Sequence, residues 1–395
     1  MEIWKKNLYV LWGTQFFAMI GMNLVVPFLP FYIRNLGVTD PTALAHWSGL
    51  VFAGVFFTAF IATPFWGTMG DKYGKKLMVV RAIFGLGLSQ VFMGFAQDVY
   101  QLLLFRMLQG AISGFIASAL ALVSTSTPRE RTGYALGLLQ SATAGGVMIG
   151  PAIGGILADM IGYREIFFIT AATCFIGGFI IIKLVHEVKQ SPVASAPPSV
   201  FENYRFLLRD PNLRIVGFTI VLTQAASLMV EPIFALFIES FKTNTKYIAT
   251  LTGTTFTVAG IFMVISAPWW GRRNDRLGFK QNLLIALAGT GIAYALHTIV
   301  PNLILLTILR AALGFAAGGI LHALYSMTSL NVPDERKSGM IGIASSLAVL
   351  GNMAGPLLGG MVAGQFGLAT TFVVNSAIYF IAAGLIWRLY KRSEQ

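Results

Sequence analysis

Residues 137–155 read GLLQSATAGGVMIGPAIGG, and residues 342–360 read GIASSLAVLGNMAGPLLGG. Both fit one frame, G-x8-G-x3-G-P-x2-G-G. It is filled by Gly137, Gly146, Gly150, Pro151, Gly154 and Gly155, and again by Gly342, Gly351, Gly355, Pro356, Gly359 and Gly360. The copies stand 205 residues apart with no change of spacing. Self-similarity at a fixed offset marks a repeated architecture. Glycines four apart line one helical face and let a neighbouring backbone come close. The proline in each frame removes a hydrogen bond and predicts a bend.

Other matches follow in the same order. Gly67-x3-Asp71-Lys72-x-Gly74 returns as Gly271-x3-Asp275-Arg276-x-Gly278, and Arg106-x3-Gly110 as Arg310-x3-Gly314, both at an offset of 204. Pro128-x-Glu130-Arg131 returns as Pro333-x-Glu335-Arg336 at 205. Four motifs sharing one offset define two similar halves.

Of the 395 residues 56% are hydrophobic and only 11% charged, against roughly 25% charged in a soluble domain. Runs of about 18 or more apolar residues cross a hydrocarbon core as helices, because lipid leaves the backbone no other partner. Such runs fall at 8–33, 47–69, 78–96, 100–123, 134–157, 165–185, 213–238, 247–270, 282–300, 302–326, 340–364 and 369–389. The first is longer than the apolar part of a signal peptide and reads as a retained membrane helix. The expected fold is therefore all-α and polytopic, with twelve transmembrane helices in two six-helix pseudo-repeats. Residues 1–186 form the first bundle, 187–212 a cytoplasmic linker and 213–395 the second bundle. The linker carries Pro192, Pro197 and Pro198, and 200–208 predicts a short amphipathic helix on the inner membrane surface.

With the N-terminus inside, 22 of the 28 Lys and Arg residues fall in cytoplasmic loops and 4 outside, while Arg106 and Arg310 lie within spans. Basic residues favour the cytoplasmic side, so both termini are expected there. The net charge of +12 then reports topology, and nucleic acid is not an expected partner. The single cysteine, Cys174, excludes an intramolecular disulfide and reads as a packing residue.

The stretch 67–76, GTMGDKYGKK, resembles the loop 2–3 signature of the major facilitator superfamily. The frame at 137–155 resembles the antiporter signature of its drug:proton antiporter branch. NLVVPFLPFYIRNLGVT at 23–39 and the stretch at 48–78 extend the likeness, which covers the whole chain. The resemblance implies alternating access between two bundles. It implies that Gly67, Asp71, Lys72, Gly74, Lys75 and Lys76 lock the halves together on the cytoplasmic side. The second copy keeps Asp275 and Arg276 but has Phe279 where the first has Lys75, so a weaker lock is expected there. The resemblance also implies that the antiporter frame bears on transport direction, and that Arg106 biases a nearby carboxylate. Arg106 alternatively snorkels to the outer end of its span.

Among 16 acidic residues only Glu231 lies well inside a span. An intramembrane acid is costly and normally faces a cavity. Gln224, Ser227 and Glu231 fall at i, i+3 and i+7, on one helical face, and Pro232 predicts a bend beside them. Glu231 is the candidate proton-coupling residue and resembles the span 7 glutamate of drug exporters in this superfamily. The alternative is a structural ion pair with Arg310. Alanines stand at 316 and 317, where such exporters often carry an acid, so His322 becomes a second titrating candidate. Gln15, Met19 and Asn23, spaced by four, and Tyr325 complete the expected substrate cavity. Methionine and aromatic surfaces repack around varied ligands.

No phosphate-binding G-x4-G-K-[ST] loop is present, and no zinc, serine-hydrolase or dinucleotide pattern. No metal or cofactor is expected, and an enzyme has no chemistry to work with. The expected function is proton-coupled antiport of lipophilic or cationic small molecules by a monomer embedded in lipid. A dedicated transporter of one metabolite, such as a siderophore, sugar or lipid, is the alternative.

Overall fold

The computed structural model describes residues 2–112, 114–187, 200–241, 245–330 and 332–393. Residues 188–199 of the expected linker therefore lie outside the described residues. The chain forms two compact units, one of Met1–Asp40, Leu50–Pro192 and Lys242–Thr257, the other of Pro41–Gly49, Val193–Phe241 and Val258–Gln395.

The first unit is built from α1 (Ile3–Val25), α2 (Leu29–Asn35), most of α3 (Pro41–Tyr73), α4 (Lys75–Gly94), α5 (Val99–Ala111), α6 (Phe115–Ser126), α7 (Thr132–Ile161) and α8 (Tyr163–Leu184). The second contains α9 (Val200–Arg209), α10 (Pro211–Met229), α11 (Phe234–Glu239), most of α12 (Ile248–Leu277), α13 (Phe279–His297), α14 (Leu303–Ala317), α15 (Ile320–Leu330), α16 (Asp334–Phe366) and α17 (Leu368–Ser393). In the first unit α1 packs on α7 and α8, and α4 on α8; in the second, α10 packs on α16 and α17, and α13 on α17.

The repeat survives at atomic detail. Trp66 on α3 donates its indole N–H to the Ala111 carbonyl at 2.7 Å, and Trp270 on α12 donates to Phe315 at the same distance. Each α3 or α12 end is followed by a glycine at positive φ, Gly74 at 102° and Gly278 at 84°. Only a residue without Cβ adopts this readily, and it allows the next helix to start at once.

Among the described residues, eleven segments are long and apolar enough to cross a membrane. The expected run at 282–300 corresponds to α13, whose first turn holds Lys280, Gln281 and Asn282 after Phe279 and whose last residue is His297, leaving a shorter apolar stretch. It holds the repeat position of α4 and packs on α17 as α4 packs on α8. Ile61, Phe95, Tyr100 and Ile304 are 63%, 65%, 71% and 77% exposed. An apolar skin of this kind suits lipid and would aggregate in water.

Among the described residues, four spans are interrupted. The runs α1–α2 and α10–α11 break at one-turn helices, Val26–Phe28 and Glu231–Ile233. The span of α5 and α6 leaves the helix at Ile112 and Gly114, and that of α14 and α15 at Gly318 and Gly319. Discontinuous helices line sites in transporters, where unwound backbone is tolerated. The expected amphipathic helix is α9. Its Leu207 is buried with Leu213, Val332, Met340 and Ile343, so its apolar side packs on α10 and α16.

Candidate functional site

The glycine frames put α7 against α1 and α16 against α10. A Cβ on Gly146 would meet Met19 and Ile20, one on Gly150 would meet Asn23, and one on Gly154 the Leu24 carbonyl. In the second unit Gly351 faces Val221 and Gln224, Gly355 the Ala225 carbonyl and Gly359 the Met229 carbonyl. Lipid supplies no hydrophobic drive between helices, so close packing and Cα–H···O contacts hold such pairs. Gly137 and Gly342 depart from the expectation, since nothing stands within 4 Å of a Cβ at either. At Pro151 the ladder is patched by Thr257 of α12. Its hydroxyl accepts from the Ala152 N–H at 3.1 Å and donates to the Met148 carbonyl at 3.0 Å.

This packing corrects part of the expected cavity. Gln15 and Met19 are 0% and 3% exposed. The Gln15 amide donates to the Leu139 carbonyl at 3.1 Å and the Thr143 hydroxyl at 2.6 Å. Asn23 keeps partial exposure but bonds its own helix at the Met19 carbonyl. The glycine stripe brings α7 so near that this face of α1 is consumed by packing. Beside it, Trp12 and Phe16 stack with centroids 5.3 Å apart at 6°, and both stay partly exposed.

In the second unit the expected polar stripe runs along α10 to the helical break. Gln224, Ser227 and Glu231 are partly exposed, while Thr223, Ala225, Ala226, Met229, Val230 and Pro232 beside them are buried. Gln224 donates to Asn352 on α16 at 3.3 Å, and Ser227 hydrogen-bonds the Tyr379 hydroxyl on α17 at 3.0 Å. Glu231 opens the helical break, with Pro232 next to it as expected. Arg310 on α14 is buried, lies within electrostatic range of Glu231, and sets its guanidinium 3.5 Å over the Phe234 ring.

Aligning the halves through the glycine contacts pairs Leu24 with Met229, hence Val26-Pro27-Phe28 with Glu231-Pro232-Ile233. Both triplets form the same one-turn helix. The architecture is thus satisfied by valine where the second unit carries a carboxylate.

Arg106 is 7% exposed and donates Nη1 to Gln109 at 3.0 Å, one turn away in α5. It is held inside its unit rather than reaching out to the surface. His322 on α15 is exposed and Tyr325 partly exposed. The histidine near Arg310 is instead His297, unremarked in the sequence. It is fully buried, bonds the Ala293 carbonyl through Nδ1 at 2.6 Å and stacks on Phe372 at 5.5 Å. Tyr294 is buried beside it, stacked on Tyr379 at 5.6 Å.

In the loop after α3, the side chains of Asp71 and Asp275 lie outside the described set. Glu187 accepts from the backbone N–H of Lys75 at 2.6 Å and Lys76 at 3.2 Å, and Lys76 Nζ donates to the Ile182 carbonyl at 2.9 Å. A carboxylate on the first turn of α4 satisfies orphan donors and the helix dipole. Lys72 is exposed, as is Arg276 in the second copy.

A similar cap ties the start of α12 to the end of α7. Asp159 accepts from the Ala249 N–H at 3.3 Å, and from the Thr250 N–H and hydroxyl at 2.7 and 2.6 Å. Asp159→Ala is expected to cost about 1 kcal/mol, read as a lower unfolding temperature in detergent. An unchanged temperature would mean that water replaces the carboxylate at no cost.

Two packed bundles, paired glycine frames and broken helices define a secondary-transporter architecture. The Major Facilitator Superfamily model matches residues 11–251 and 220–395, and the chain belongs to that superfamily. It is 34% identical over 394 residues to the multidrug resistance protein MdtG of Rahnella sp. (strain Y9602), covering 99% of this chain and 95% of the relative. Identity is also 34% over 390 residues to MdtG of Escherichia coli (strain K12 / DH10B), covering 98% and 95%. Among solved structures, a bacterial homolog of the human lysosomal transporter Spinster, inward-facing and occupied, aligns with a TM-score of 0.81 at 15% identity, covering 99% and 97%. The nucleoside transporter NupG aligns at 0.79 and 14%, covering 99% and 100%. These structures share the fold.

Proposed function

We propose that this chain is a proton-coupled antiporter that exports lipophilic and cationic small molecules by alternating access. It acts as a monomer in the bacterial cytoplasmic membrane, with both termini in the cytoplasm. It is a transporter rather than an enzyme. The multidrug resistance proteins it resembles supply the substrate class. The observation that carries the coupling role is Glu231, a partly exposed carboxylate at a helix break whose repeat partner is Val26. An acid that the architecture does not require, placed beside a buried cation, suits a group that exchanges protons with a cavity. Gln224 and Ser227 continue the same stripe.

Reconstitution in liposomes with an imposed pH gradient tests this reading. Transport of several unrelated dyes, driven by inward proton flow, is expected. Response to one compound alone would point to a dedicated metabolite transporter, and transport indifferent to the gradient would remove proton coupling.

A further inference from the structure

The end of α12 differs from its repeat partner in a way that gating does not explain. Aligned at an offset of 204, FWGTMGDKYG at 65–74 faces WWGRRNDRLG at 269–278. Thr68 and Met69 are replaced by Arg272 and Arg273, and Phe65 by Trp269. Trp270 keeps the internal hydrogen bond of Trp66 and is 4% exposed, whereas Trp269 is 44% exposed.

These replacements line a cavity of about 470 Å³ formed by Trp269, Arg272, Arg273, Arg276 and Leu277. Arg273 is fixed within it. Its Nε donates to Asn282 Oδ1 at 2.8 Å, Asn282 in turn donates to the Gly278 carbonyl at 3.0 Å, and the guanidinium lies 5.2 Å from the Trp269 ring. With Nε engaged, the terminal nitrogens keep the forked geometry that suits a phosphate. Arg272 and Arg276 add exposed charge, and Leu277, 54% exposed, adds apolar surface. Even counting Asp275, residues 269–280 carry a surplus of positive charge. An indole beside guanidinium groups at a span's end is the composition of a membrane interface.

We propose that this cavity binds the phosphate headgroup of an anionic phospholipid of the cytoplasmic leaflet. The guanidinium groups hold the phosphate, while Trp269 and Leu277 lie along the glycerol and upper acyl chain. The assignment of leaflet rests on the orientation proposed above; the binding itself does not depend on transport. The cytoplasmic leaflet is the anionic one that basic juxtamembrane clusters recognise.

The test uses the full chain, reconstituted in vesicles of equal phosphatidylethanolamine and phosphatidylglycerol, then extracted and examined by native mass spectrometry for retained lipid. The wild type is expected to keep phosphatidylglycerol preferentially. R272Q/R273Q is expected to weaken that retention on the order of tenfold. R205Q/R209Q, which removes equal charge from exposed positions on α9, is expected to leave it unchanged. R272Q alone, at an exposed position, guards against misfolding through loss of the Asn282 bond and is expected to weaken retention partially. Equal loss in the α9 variant, or no lipid preference in the wild type, overturns the site. Displacement of the lipid by inorganic phosphate at comparable concentration would assign the cavity to soluble phosphates and overturn the lipid.

Discussion

Glu231→Gln is expected to fold and to bind substrate, yet to lose pH-driven transport in liposomes. Glutamine has nearly the shape of the protonated acid, and Val26 shows that the same one-turn helix forms without a charge. Stability should therefore change little. Coupling is a linkage between proton and substrate binding, with typical strengths of about 5- to 150-fold. Removing the titrating group should lower gradient-driven accumulation on the order of tenfold or more. Exchange of labelled for unlabelled substrate, which needs no net proton movement, should persist. Glu231→Asp, which keeps the carboxylate, should recover part of the driven transport. Loss of exchange along with driven transport would instead identify Glu231 as a structural residue.

The second large effect separates glycines that look alike in the sequence. Gly154→Ala and Gly359→Ala would each push a methyl into the carbonyl of a facing helix, at Leu24 and Met229. Overpacking of this kind costs about 1–3 kcal/mol, and the rigid backbone on the other side leaves little room to yield. Gly137→Ala and Gly342→Ala meet nothing within 4 Å, and alanine favours a helix interior over glycine by about 0.5–1 kcal/mol. Thermal unfolding of the purified variants should fall for the first pair and hold or rise for the second. A uniform response across all four would contradict the interface assigned to each frame.

The contrast also explains what the sequence could show. The two frames, their common offset and the apolar runs were sufficient for the repeat and the spans, because both are properties of spacing. The break at Glu231–Ile233 was foreseeable from Pro232 and the stripe Gln224–Ser227–Glu231 from helical periodicity. Which face of a helix the glycines would consume was not foreseeable. A glycine stripe says that a backbone comes close but not whose, so Gln15 and Met19 read as cavity and proved to be packing against α7. The caps made by Glu187 and Asp159 join segments about a hundred residues apart, and no local pattern announces them. His297 sat at the end of an apolar run, and only the tertiary fold brings it towards Arg310 and Phe372.

The central claim is that the coupling proton resides on Glu231. Linkage requires that if protonation of that carboxylate alters substrate affinity, substrate binding must alter its protonation. The direct measurement is proton release on adding saturating substrate to purified protein in weakly buffered detergent solution, followed with a pH dye across the neutral range. The wild type should release protons on binding, and Glu231→Gln should bind the same substrate with no release. Equal release from both proteins would place the proton elsewhere and contradict the claim.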